Sequence, residues 1–381
     1  MNQTPNERIF LSPPHMGGKE QHYVQQAFES NFIAPVGENI SGFEADISQY
    51  LNYRRKAVTL NSGTAAIHLA LILAGVKAGD EVICQSFTFC GSCNPIAYLG
   101  AKPVFVDSER DTWNLSPLFL EEAIQDRLRN GKKPAAVIAI HLYGMPYMVD
   151  EINAIAKKYE IPIIEDSAEA IGAWYDQKPC GTLGDYGIFS FNGNKLITTG
   201  GGGALLVKTK ALYDRALYLA TQARQPAAYY EHTEIGYNYR MSNVSAGIGR
   251  GQMEVLESHL KARKEVNNFY RKLFRNILGV TVQGEPDAKF KSNFWLTTIL
   301  VDPSEAPFTN KILLDAFAEA NIESRPLWKP MHLQPIYQNA PYYGDQVCED
   351  LYNSGLCLPS GSAMGSKEFD RIEKVIKKLI G

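Results

Sequence analysis

The chain is short of the features that assign many proteins at a glance. No stretch of its 381 residues approaches the roughly 18 consecutive apolar positions that span a membrane. The opening MNQTPNERIFLSPPHMGG holds no apolar core of the secretory-signal kind, which predicts a cytoplasmic protein. Charge of one sign is not in excess: the net charge is −3 and no basic stripe runs along the chain, which argues against a general nucleic-acid or anionic-membrane surface. Cysteine is sparse, six in all, and only Cys90 and Cys93 make a CxxC. With no second CxxC or histidine pair at ligand spacing, a metal site is not expected. Internal repeats and low-complexity tracts are missing too.

What is present is an ordinary globular mix, 45% hydrophobic and 21% charged, in a length suited to two domains of roughly 150 residues or more. Through the first 250 residues, apolar strand-like runs (EVICQSF at 81–87, KPVFVD at 102–107, AAVIAI at 135–140, IPIIED at 161–166) alternate with helix-like stretches at 64–75, 116–130 and 148–159. That alternation predicts βαβ units around a mainly parallel sheet. Two further strand candidates, GIFSF and GALLV, are separated by a loop rather than a helix. From about residue 244 a long helical pattern sets in, with Val266, Phe269, Tyr270, Leu273 and Phe274 on one stripe. Short strands, a helix near 309–320 and a closing amphipathic helix follow. The expected class is therefore α/β: a large domain over residues 1–250 and a smaller α+β domain over 251–381.

Three places could carry chemistry. Asp166 ends the run IPIIED, and ligands of open α/β sheets gather at the carboxyl ends of strands. A carboxylate there could hold a positive charge on a bound heterocycle, or simply cap a helix. Asn61-Ser62-Gly63-Thr64 opens the apolar helix at 64–75, and helix-terminal N–H groups with hydroxyls suit a phosphate; a plain Ser/Thr cap fits the same residues. Lys195 lies in SFNGNKLITTGGGGALL, between two apolar strands and just after Ser190. Most loop lysines are merely solvated, but a partly unprotonated lysine amine traps carbonyls. The four glycines after it precede a strand, not a helix, so a tight turn is expected rather than a phosphate loop. A phosphate cradle, a strand-terminal carboxylate and a loop lysine, in that order, are what pyridoxal phosphate (PLP) requires.

On LNSGTAAIHLAL (60–71), GAKPVFVD (100–107), IIEDSAEAIGA (163–173), GDYGIFSFNGNKLITTGGGGAL (184–205), GYNYRMSN (236–243) and RPLWKPMHLQP (325–335), the chain resembles the DegT/DnrJ/EryC1/StrS family of PLP-dependent nucleotide-sugar aminotransferases over nearly its whole length. The resemblance implies the aspartate aminotransferase fold (fold type I) and a homodimer with shared sites. It places Lys195 as the Schiff-base lysine, Asp166 on the pyridine nitrogen, Gly63, Thr64 and Ser190 on the phosphate, Phe89 against the ring and Asn238 on the phosphate of the neighbouring subunit. Glu169 departs from the glutamine that many relatives carry beside the ring, so its charge must be neutralised or compensated. His332, with Arg240, Lys329 and Trp328, is the expected wall for a nucleotide-sugar diphosphate, and His141 is expected to be structural or to line the cofactor. The implied donor is L-glutamate. The implied acceptor is C4 of a UDP-linked 4-keto-6-deoxy-N-acetyl hexose, as in bacillosamine-type pathways, with a dTDP-linked 3-keto sugar as the alternative. A dehydratase of the same fold would have histidine for Lys195, and a non-catalytic regulatory role would not need the intact constellation.

Overall fold

The computed structural model describes residues 7–380. Its centre is an eight-stranded sheet in the order Lys56–Leu60, Gly203–Val207, Tyr186–Ser190, Ile163–Asp166, Ala136–Ile140, Glu81–Gln85, Lys102–Val106, Tyr342–Tyr343. All pairings are parallel except those of Gly203–Val207, which runs against both neighbours. The reversal follows from the sequence: GIFSF and GALLV lack the crossover helix that a parallel connection needs. The inner strands are buried on both sides, which is why they read as continuous apolar runs instead of alternating ones.

One face carries the helices Gly63–Leu73, Cys90–Tyr98 and Lys210–Ala220, the other Pro117–Arg129 and Val149–Lys158. The helix Gly63–Leu73 is apolar nearly all round, and almost every residue in it is buried. The run CGSCNP, whose small residues suit close packing, becomes the helix Cys90–Tyr98, and all six cysteines are free thiols. Among the described residues, no helix is long and apolar enough to cross a membrane.

A 32-residue helix, Asn243–Phe274, leads out of this domain. The expected boundary at 250/251 falls inside it, because a continuous helix gives no composition break where one domain hands over to the next. Its first half packs against two helices that periodicity had not revealed, Glu20–Glu29 and Glu38–Tyr50. Gly251 permits the approach, since a Cβ there would run into the backbone of Glu20. Its second half contributes Val266, Tyr270 and Phe274 to the core of the smaller domain. That domain is an antiparallel sheet ordered Val280–Val282, Thr297–Val301, Gly355–Leu358, Arg325–Pro326, covered by Asn310–Glu319 and Ser366–Ile380. The chain then crosses back, and Tyr342–Tyr343 adds itself to the edge of the large sheet.

Behind the sheet's carboxyl edge sits a buried carboxylate that holds several loops together. Glu165 accepts from His141 Nε2 at 2.9 Å, from Ser167 Oγ at 3.1 Å, and from the backbone N–H groups of Gly181, Leu183 and Gly184. Burial alone would raise its pKa; the His141 bond and charge together with these N–H donors outweigh it and hold the carboxyl below its ordinary value. A depressed carboxyl contributes stability above its unfolded pKa, and that contribution is lost as pH falls through the folded value. Glu165→Ala should therefore cost about 3–5 kcal/mol at neutral pH by stranding these donors. In thermal unfolding, the gap from the parent protein should narrow below about pH 4.5, the carboxyl's ordinary value.

Candidate active site

The carboxyl ends of the central strands open into a cavity of about 310 Å³. Strand alternation puts Glu165 and Asp166 on opposite faces, so Asp166 turns into this cavity while Glu165 stays behind it. Asp166 accepts from Ser92 Oγ at 2.7 Å and from the Ala168 N–H at 3.1 Å. Ser92 is in turn bonded to Thr88 Oγ1 at 2.8 Å. Burial raises the Asp166 carboxyl above its usual range, and these donors and the charge of Lys195 only partly offset it. Such a carboxylate gains from a cation brought to it.

At one end of the cavity stands the N-terminus of the helix Gly63–Leu73. Ser62 caps it in extended conformation, accepting the Ala65 N–H at 3.0 Å. The first N–H groups of a helix have no intrahelical acceptor, which leaves those of Gly63 and Thr64 for a ligand. Ser190, at the end of its strand, faces them closely: a Cβ on Gly63 would lie 3.1 Å from the Ser190 Cβ. The glycine run after the lysine does more than turn the chain, because Gly201 and Gly202 also line the cavity.

Lys195 reaches in from the loop between the two antiparallel strands, its side chain 13% exposed. Its Nζ lies 3.4 Å from Glu169 Oε1 and 4.1 Å from the centre of the Trp295 ring. Glu169 Oε2 accepts the Tyr143 N–H at 2.7 Å. Burial raises the Glu169 carboxyl, with the charge of Lys195 the main opposing influence. The compensation that a carboxylate needs here is thus at hand in Lys195 and a backbone donor. Phe89 is 51% exposed and meets Trp328 edge-on at 4.9 Å, giving the cavity an aromatic lip.

Gly63, Thr64, Phe89, Asp166, Glu169, Ser190 and Lys195 thus line one cavity, as does Trp328. Five other candidates do not. Asn238 is exposed, and its carbonyl accepts from Asn61 Nδ2 at 3.2 Å. Arg240 is held by Glu44 and the Thr59 carbonyl. His332 is bonded to Ser86 Oγ at 2.7 Å and Glu349 Oε1 at 3.2 Å, with its ring stacked on Tyr342. Lys329 is exposed. His141 lies behind the sheet edge, fully buried, bonded to Glu165 and stacked on Tyr147. Sequence reasoning missed Ser92, although its place in the first turn of a helix following SFTF was a usable signal. It also missed Trp295 and Tyr143, which reach the site through tertiary contacts and leave no local mark.

The donor set fits pyridoxal 5'-phosphate: free helix N–H groups and Ser190 for the phosphate, a cation-seeking carboxylate for the pyridine nitrogen, an amine for the aldehyde, and an aromatic face. Comparison with known proteins agrees. The model of the DegT/DnrJ/EryC1/StrS aminotransferase family matches residues 14–378. EpsN of Bacillus subtilis, named as a pyridoxal phosphate-dependent aminotransferase, is 48% identical over 98% of this chain and 96% of its own. The GDP-perosamine synthase of Escherichia coli O157:H7 is 37% identical over 93% of this chain and 94% of its own. Among solved structures, the PLP form of Spr1654 from Streptococcus pneumoniae, titled a sugar aminotransferase, superposes with a TM-score of 0.87 at 25% identity, covering 98% and 100% of the two chains.

The raised Asp166 carboxyl sets a test. A folded-state pKa above the unfolded value stabilises at low pH, and the contribution is lost as pH rises through the folded value. Cofactor-free Asp166→Asn should therefore unfold at a higher temperature than the cofactor-free parent at neutral pH. That gain should vanish as pH drops toward the ordinary carboxylate range, and the same variant should lose PLP on dialysis. A variant that is less stable at neutral pH and retains PLP would contradict the assignment.

Proposed function

The chain belongs to the DegT/DnrJ/EryC1/StrS aminotransferase family, whose cofactor is pyridoxal 5'-phosphate, and from that premise we propose that it moves an amino group from L-glutamate to a nucleotide-linked keto sugar. The observation that carries the reading is the convergence of Lys195, Asp166 and the open N-terminus of the helix Gly63–Leu73 on one cavity.

When bound, the cofactor supplies an electron sink for the carbanion left when an amino donor loses its Cα proton. Asp166 keeps the positive charge on the pyridine nitrogen that makes the sink effective. Gly63 and Thr64, with Ser190, would hold the phosphate, and Phe89 would shield the ring. Lys195 Nζ would be the base that takes the donor's Cα proton and the acid that delivers it to the carbon that keeps the amine. Glu169 and Trp295 hold that nitrogen in place. For the acceptor, the same Lys195 nitrogen would move a proton in the opposite sense.

For the acceptor, the reading is C4 of a UDP-linked 4-keto-6-deoxy-N-acetyl hexose, on the strength of the SFNGNKLITTGGGGALL stretch. The similarity to a GDP-perosamine synthase makes the nucleotide a point for direct competition among UDP, GDP and dTDP substrates. We also assign the working unit as a homodimer. Asn238 is exposed, and Phe28, Phe32, Ile33, Val36 and Ile235 leave large apolar side chains in solvent on the single chain.

Two measurements test this. Glutamate should bleach the long-wavelength cofactor band and the UDP keto sugar should restore it. Lys195→Ala should lower turnover by more than about 10³-fold, and normal turnover in that variant would remove the mechanism. For the shared site, Lys195→Ala and Asn238→Ala chains, unfolded and refolded together, should regain activity that neither has alone, because one mixed site then has both residues intact. No gain on mixing, with mixed dimers demonstrated, would place Asn238 in the site of its own chain.

A further inference from the structure

The lysine nitrogen is flanked by two groups from distant parts of the chain, the Glu169 carboxylate and the Trp295 indole. Neither is fixed by its own element. Glu169 lies in a loop beyond the strand Ile163–Asp166, and Trp295 precedes the small-domain strand Thr297–Val301. One buried amide ties them together. Asn293, 2% exposed, donates from Nδ2 to the carbonyls of Glu169 and Ile171, both at 2.8 Å. Its Oδ1 accepts the Trp295 N–H at 2.8 Å. Both amide protons and the oxygen are thus spent on the two sides of Lys195.

The surrounding backbone is bent to make this possible. Phe294 has a φ of 49°, a left-handed conformation that bulky residues rarely adopt. It reverses the chain so that the Asn293 side chain and the Trp295 N–H meet. Gly144 has a φ of +90°, and a Cβ there would run into Asn293 Oδ1. Its carbonyl accepts from Ser292 Oγ at 3.0 Å, which draws in the loop whose Tyr143 N–H holds Glu169 Oε2. On the other side the Trp295 indole N–H donates to the Asn194 carbonyl at 2.7 Å, one residue before the lysine. The Trp295 carbonyl in turn accepts from Arg263 on the long helix at 2.7 Å.

We propose that Asn293 is a positioning residue for Lys195, locking Glu169 and Trp295 to each other across the lysine nitrogen. It does not line the cavity and acts through the two groups that do the holding. The inference rests on Lys195 being the reacting amine.

The test is Asn293→Ala in the holoenzyme, with Asn293→Ser as the milder variant should the alanine protein fail to fold. Loss of the lock should alter the visible absorbance and circular dichroism of the bound cofactor in the resting enzyme, where no turnover is involved. Turnover per bound cofactor should fall about a hundredfold, the scale of a misplacement of about 1 Å, with the glutamate KM changed by less than about threefold. In a Glu169→Ala background the same substitution should cost at least about tenfold less, because one of its two targets is already gone. If melting temperature falls while spectrum and turnover per bound cofactor are unchanged, or if the two substitutions act independently, Asn293 is only structural and the inference is overturned. If the parent protein forms no cofactor band at all, the Lys195 assignment fails instead.

Discussion

Two neighbouring carboxylates, Glu165 and Asp166, are buried at the carboxyl end of a single central strand, and much of the molecule is arranged around that fact. An ionised carboxylate without donors or a cation is not tolerated inside a protein. Because a strand alternates its faces, the two are solved separately. Glu165 is given five donors, and in receiving them it fixes the turn at 181–184 and the ring of His141. Asp166 is given two donors and an opening. The first is structure complete in itself; the second faces a cavity that leaves room for a cationic ligand.

How far this was legible in the sequence depends on the range of each interaction. Strand-terminal Asp166, helix-opening Ser62-Gly63-Thr64 and loop-bound Lys195 carry local signals, and the structure gathers them in one cavity. The parallel sheet was equally readable, because strands buried on both faces leave unbroken apolar runs. The helices Glu20–Glu29 and Glu38–Tyr50 were not, since each buries only a narrow face and that face is recognisable only once the long helix they pack on is known. The edge strand Lys56–Leu60 carries no such run, because Lys56 and Thr59 interrupt its apolar residues. The expected substrate wall rests on a family resemblance for His332 and on residue type for Arg240 and Lys329. In the structure Arg240 and His332 are engaged by carboxylates instead, which residue type alone does not foretell.

Trp295 and Asn293 illustrate a third category. Their contacts are long in sequence and decisive in space, since they join the entry to the small domain with the Glu169 loop and the loop of Lys195. Nothing in KSNFWLTT announces this. The useful mark is backbone geometry: a phenylalanine in the left-handed region signals that the surrounding contacts over-determine the local conformation.

The reversed strand Gly203–Val207 has a consequence for how the protein is made. Lys56–Leu60, the strand that leads into the helix Gly63–Leu73, pairs among the described residues with Gly203–Val207 and with no other strand of the sheet. On a ribosome adding roughly 5–20 residues each second, this early segment must wait for its partner until well after the lysine loop has been synthesised. The strand before Gly63 is therefore tied into the sheet only through the hairpin whose loop carries Lys195. A chain ending before residue 203 would leave Lys56–Leu60 without its sheet partner and the edge of Tyr186–Ser190 unpaired.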